Sequence, residues 1–322
     1  LFVLQPQILP AYAQSATATV FSVANIVFYM EAGYWDANAE LKPLLHMWSL
    51  GVEEQFYLLW PAFLIVLLRG GAWLYRLGLV VAFALSLGFC IQFTATDSAA
   101  AFYLLPFRVW QFCLGAMALE LWRQFTPSLF TLQWLRSLGL ALCGYAILTF
   151  NADTPFPGVY ALVPSLGAAL VLLSTHHAEP SPWLANRPMI WVGKLSYSIY
   201  LVHWSPIALY RCYTLSELTP VVQLALGALT LVLALALHYG VEQRFYRRDR
   251  KSTDWRGVPT ATLMAATGLA VLMMYIKATP DSWAQREAVL SAERIRNYQI
   301  HRSHLTRATC HITELDNTGQ CP

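Results

Sequence analysis

Two adjacent carboxylates, Glu53 and Glu54, stand ten residues into the run PLLHMWSLGVEEQFYLLWP at 43–61. Lipid does not solvate charge. Ionisable groups in such a run usually face a protein interior or a watery cavity, and they often mark function. On a helix starting near Pro43, His46, Ser49, Glu53 and Tyr57 fall at offsets 0, 3, 7 and 11 and share one face. Glu54 then points about a quarter turn away. An imidazole can carry a proton, a carboxylate can orient a partner, and hydroxyls can donate hydrogen bonds. Residues seven apart on a helix lie about 10 Å apart along its axis. Glu53 therefore cannot readily orient His46 directly, and a Ser-His-Glu relay on one helix is geometrically poor. A polar wall facing a cavity fits better, with His46 as proton carrier and Glu53 orienting a group from another helix. The competing reading has Glu53 and Glu54 capping or bridging neighbouring helices.

Two further residues invite chemistry. Arg108, in YLLPFRVWQ at 103–111, sits just inside an apolar run. A guanidinium there can bind a carboxylate or phosphate bidentately. It can equally pair with Glu53 or Glu54, or reach to the interface. His203, in GKLSYSIYLVHWSP at 193–206, lies in mid-run, with Tyr200 one turn before it and a kink expected at Pro206. A single histidine in such a run also serves as hydrogen-bonded packing. His238 and Glu242, four apart, read as the closing pair of a helix. His311-Ile-Thr-Glu-Leu-Asp316 matches a two-residue H-x4-D pattern that arises easily by chance, and we discount it. There is no P-loop, no Gly-rich dinucleotide turn, no H-E-x-x-H and no G-x-S-x-G.

The elements that must position these groups are membrane helices. The chain has 322 residues, 57% hydrophobic and 12% charged, with mean hydropathy +0.46. Ordinary soluble domains carry about 25% charged residues. The net charge of +3 is spread over short clusters and suggests no nucleic-acid partner. Runs of roughly 20 apolar residues occur near 12–30, 47–68, 73–93, 103–122, 134–150, 159–175, 192–211, 220–240 and 258–276. This predicts an all-α polytopic membrane protein with about nine spans. The weakest span is 12–30, rich in Ser, Thr, Asn and Gln, which can instead lie in the interface or re-enter. Lys and Arg gather in alternate loops, most strongly at Arg244–Arg256, and mark these as cytoplasmic. The tail from Lys277 then lies outside. Cys310 and Cys321 there are spaced for a disulfide loop if the compartment is oxidising. Cys90, Cys113, Cys143 and Cys212 lie in apolar runs and read as packing.

LLHMWSLGVEEQFYLLWP resembles the signature of the membrane acyltransferase family three of bacterial O-acetyltransferases. Three more blocks agree in order: FYLLPFRVWQFCLGA at 102–116, WVGKLSYSIYLVHWSPI at 191–207 and YGVEQRFYRR at 239–248. NIVFYMEAGYWD at 25–36 also fits, and the resemblance covers about residues 1–276. It implies a membrane acyltransferase domain at 1–276. It also implies a linker at 277–322 that begins an extracytoplasmic domain of the SGNH type, which this chain does not contain. The full protein would have eleven spans in a bacterial inner membrane. The implied reaction moves an acyl group, usually acetyl, from cytoplasmic acetyl-CoA to a hydroxyl of a cell-surface glycan. Acetyl-CoA is a substrate, and no bound cofactor or metal is implied.

One departure is clear. The family's basic residue followed eleven positions later by His is not found here, so its proton-abstracting His is expected in helices preceding this chain. The chain alone is not expected to be active. Its Arg247 and Arg250 match an R-x-x-R spacing at the wrong end. The expected roles are therefore Glu53 as orienting carboxylate, His46 as proton carrier, and Ser49, Tyr57, Arg108 and His203 as substrate-binding lining. Two rival classes remain open, a transporter or flippase of a lipid-linked glycan and an inactive structural membrane protein. Repeats common in transporters are not visible.

Overall fold

A computed structural model describes residues 9–32, 41–124, 127–151, 153–175, 184–214, 218–243 and 267–275. All regular structure among these residues is helical. In chain order the helices are α1 (Leu9–Val20), α2 (Ala24–Glu31), α3 (Met47–Arg69), α4 (Gly71–Thr96), α5 (Ser98–Tyr103), α6 (Val109–Gln124), α7 (Leu129–Thr149), α8 (Leu162–Thr175), α9 (Arg187–Thr214) and α10 (Pro220–Leu237). A 3-10 turn, Leu105–Phe107, precedes α6, and α10 ends in a π-helical turn, His238–Glu242. A last helical stretch, α11, occupies 267–275. Local chemistry sets several starts. Asp97 accepts the Ala100 N–H at 2.9 Å, Ser128 that of Thr131 at 3.2 Å, and Thr219 that of Val222 at 3.4 Å, with Pro220 in the first turn.

The burial pattern is that of a protein in lipid. Leu58, Leu148 and Leu224 are exposed, while Asn25, His46, Arg108, Ser198 and His238 are buried. Backbone groups in hydrocarbon must be satisfied within the chain, which helices do and isolated strands do not. Among the described residues, α3, α4 and the run Pro220–Glu242 are long and apolar enough to cross a membrane. Val109–Leu121 and Leu162–Ser174 are apolar but shorter. The molecule is a multi-pass membrane protein.

The 12–30 run is not one helix. It breaks at Phe21–Val23, where Ser22 takes φ 56°, into α1 and α2. Its polar residues explain why. Ser15, Thr17 and Thr19 return their hydroxyls to the carbonyls of Ala11, Ala13 and Ser15 at 2.8–2.9 Å, a bonding that competes with straight helix. α1 packs with Cys212 of α9 and Met273 of α11. α9 continues through Pro206. The cysteines at 90, 113 and 212 are buried and carry no disulfide, in keeping with packing. Cys310, Cys321 and the basic cluster at 244–256 lie outside the described residues.

α7 and α8 form a hairpin whose contact depends on two glycines. A Cβ on Gly139 would lie 2.6 Å from the Gly167 carbonyl oxygen, and one on Gly167 would lie 2.8 Å from that of Gly139. In lipid no hydrophobic force drives helices together, so such close backbone approach supplies the attraction. Gly139→Val should therefore lower the melting temperature in detergent, with a loss of about 1–3 kcal/mol. Gly144→Val, which points into open space, should leave it unchanged.

Candidate active site

The segment before α3 is fastened to α9 through its own backbone. Cys212 donates to Leu41 O at 3.1 Å, Trp204 Nε1 to Lys42 O at 2.8 Å and Ser205 Oγ to Pro43 O at 3.1 Å. The Tyr200 hydroxyl donates to His46 O and also meets Ser49 Oγ. In return His46 Nε2 bonds to Leu201 O at 3.2 Å. Lys42 O and His46 O already accept the N–H groups of Leu45 and Ser49, so α9 adds a second bond to each, while for Leu41 O and Pro43 O it supplies the partner. These contacts also set the register of α3 against α9.

Two imidazoles meet in this seam. The rings of His46 and His203 lie edge to face with centroids 5.3 Å apart, and Tyr200 lies 5.6 Å from each. A carbonyl only accepts, so Nε2 of His46 carries the proton and its Nδ1 holds the lone pair. That Nδ1 is buried and has no hydrogen-bond partner among the described residues. His203 bonds Tyr200 O through Nδ1 at 2.8 Å, which leaves its lone pair on Nε2. Each ring thus presents a basic nitrogen while its acidic one is fixed by a carbonyl.

On its other side α3 meets α6 across a cavity of about 100 Å³. Ser49, Glu53, Arg108 and Gln111 supply its polar groups, and Trp48, Val52 and Phe112 its walls. Ser49 belongs to both this cavity and the histidine seam. Arg108 is 7% exposed. Its Nε donates to Phe102 O at 3.0 Å, and its guanidinium lies 5.2, 5.1 and 5.7 Å from the rings of Trp48, Phe102 and Phe156. No ion pair joins it to Glu53 or Glu54, and its Nη2 has no partner among the described residues. Aromatic faces and one carbonyl therefore hold this cation, and its buried Nη2 stays unpaired among the described residues. Ser86 of α4 places Arg108. Its hydroxyl donates to Pro106 O at 2.6 Å and accepts the Trp110 N–H at 3.0 Å, clamping the turn that carries the arginine.

A second polar knot fixes α3 from the side of α2. Buried Asn25 donates to Tyr103 O at 3.1 Å, and Gln55 Nε2 donates to Asn25 Oδ1 at 2.8 Å and Ser22 O at 2.9 Å. Gly51 lets the helices close here, since a Cβ would fall 2.9 Å from Asn25 Oδ1.

A family model described as an acyltransferase domain matches residues 3–239. The chain belongs to the membrane acyltransferase family three. Peptidoglycan O-acetyltransferase OatA of Listeria monocytogenes is 29% identical over 63% of this chain and 35% of its own length. A Komagataeibacter xylinus protein provisionally named membrane-bound transacylase BcsY is 28% identical over 85% of this chain and 70% of its own. A Staphylococcus aureus (strain COL) protein provisionally named an O-acetyltransferase is 25% identical over 74% and 42%. The chain thus spans about two fifths of the S. aureus relatives it matches. No solved structure matches it.

Within this family domain, the structure brings His46, Ser49 and His203 together on one side of α3, and Ser49, Glu53 and Arg108 on the other. Tyr57 is not among them. It is 58% exposed and turns out beside Phe56. The shared face weakens because the cavity ends at Glu53. Arg108 is neither the partner of the two glutamates nor an interface residue. His238 and Glu242 close the end of α10, as expected, with His238 Nδ1 2.9 Å and Ser198 Oγ 2.8 Å from the same carboxylate oxygen. Residue patterns gave no role to Tyr200, Gln111 or Asn25. Tyr200 alone had a signal, one turn before His203. The Tyr200–Ser49 bond predicts non-additive stability. In a cycle of Tyr200→Phe and Ser49→Ala, melting in detergent should show a coupling of about 0.5–3 kcal/mol.

Proposed function

We propose that this domain moves an acyl group, acetyl, from acyl-CoA to a hydroxyl of a cell-surface glycan in a bacterial inner membrane. The observation that carries this reading is the cavity beside α3. There a buried guanidinium with a free nitrogen and a half-buried carboxylate meet one hydroxyl of the histidine seam. Sites for drug-sized ligands run about 300–1,000 Å³. A cavity of about 100 Å³ suits a small group such as acetyl. The printed name of the Listeria relative, a peptidoglycan O-acetyltransferase, supports a glycan acceptor.

In the reaction the acceptor hydroxyl attacks the thioester carbonyl, the C–S bond breaks, and the hydroxyl proton ends on the departing thiolate. The Arg108 guanidinium meets the oxyanion that forms. Glu53 orients the acceptor or a group from a neighbouring helix. His46, with His203 beside it, carries the hydroxyl proton on. Ser49 lines the path between them. The basic loops face the cytoplasm, where phosphates of the donor meet Arg and Lys.

In cells carrying the full-length protein, Glu53→Gln should strip acetyl from the surface glycan and leave glycan export intact. Export lost, with acetyl per glycan unchanged, would instead favour a transporter.

A further inference from the structure

A separate cavity of about 400 Å³ opens between α4, α6 and α8, away from the histidine seam. α6 forms its floor, with Leu114, Met117 and Ala118, and α4 and α8 form its walls through Leu79, Leu166 and Ala169. Its polar groups are confined to one end, where Arg76, Glu120 and Gln124 stand. From Leu114 to Gln124 the floor is ten residues of helix, about 15 Å. That is half of a hydrocarbon core of about 30 Å. The groove therefore has the depth of one leaflet, apolar inside and charged only at the mouth.

The charge at the mouth is chiefly positive. Glu120 takes Arg76 Nε at 2.9 Å, yet the Arg76 side chain stays 52% exposed. Gln124 adds a second bond to Glu120 at 3.0 Å, which further occupies that carboxylate. Arg123 stands in the last turn of α6, and Tyr75 is within electrostatic reach of both Arg123 and Glu120. Arg76 at the mouth and Arg123 in the adjoining last turn of α6 thus outnumber the one engaged glutamate. This is also the end that Lys and Arg mark as cytoplasmic, where anionic lipids attract basic residues.

We propose that this groove holds one acyl chain of an anionic phospholipid, with the lipid phosphate at Arg76. The chain fills an apolar slot of leaflet depth, and Arg76 selects the headgroup. The bound lipid also wedges α4 against α8, joining the helix that carries Ser86 to the α7–α8 hairpin.

The test is lipid retention by the full-length protein, delipidated in detergent and then offered phosphatidylglycerol or phosphatidylcholine of equal chain length. Native mass spectrometry counts what stays bound. The wild type should keep one phosphatidylglycerol with about tenfold preference over phosphatidylcholine. Arg76→Gln should remove most of that preference and leave phosphatidylcholine retention unchanged. Ala118→Phe should abolish retention of both by filling the floor. Leu121→Trp, at a half-exposed position, should do the same from the rim without touching the core. Equal retention of the two lipids by the wild type, retention of neither, or displacement of phosphatidylglycerol by a polyisoprenyl phosphate would each overturn the proposal.

Discussion

The structure depends on how the strap at 41–49 is sewn to α9. Its bonds run from side chains of α9 to backbone carbonyls of the strap, with His46 answering onto Leu201 O. A chain entering a membrane helix cannot leave its last loop carbonyls dry and unpaired. Here Cys212 and Ser205 pair Leu41 O and Pro43 O, and Trp204 and Tyr200 add a second bond to Lys42 O and His46 O, all from one helix. The same bonds bring His46 against His203, and the bond to Leu201 O fixes which nitrogen of His46 holds the proton. Stability and site geometry are therefore one arrangement.

α3 then works from two sides. One side is the histidine seam, and the other is the cavity with Glu53, Gln111 and Arg108. Ser49 belongs to both. Among the described residues the buried arginine has no carboxylate to neutralise it, so rings and a carbonyl share the load. Pairing it would be easier, with Glu53 lining the same cavity. Keeping the two apart leaves both groups available to a ligand, at the cost of burying a charge without a counter-ion.

Much of this was legible in the sequence, for identifiable reasons. The polar stripe of His46, Ser49 and Glu53 was readable because charge in an apolar run is rare and helical spacing fixes its face. Arg108 and His203 stood out on the same ground. Tyr57 shared the spacing and yet lies outside, because a helical face is a broad stripe and only a neighbouring helix decides how much of it is covered. The seam itself was not readable, since Trp204 to Lys42 and Tyr200 to His46 join residues more than 150 apart. Nor was the break at Phe21–Val23, although its Ser and Thr residues hinted at a span that would not hold straight. Gln111 and Asn25 carry no charge and leave no mark in a pattern.

The most direct test of the account is the transfer rate of His46→Gln in the purified full-length protein, with acetyl-CoA and a glycan acceptor. The amide of Gln can still donate to Leu201 O but cannot take up a proton. A proton-carrying His46 predicts a rate reduced about a hundredfold or more in a protein that melts like the wild type. A rate within about twofold of the wild type, well short of what general acid–base groups contribute, would contradict it and leave the seam as scaffold alone.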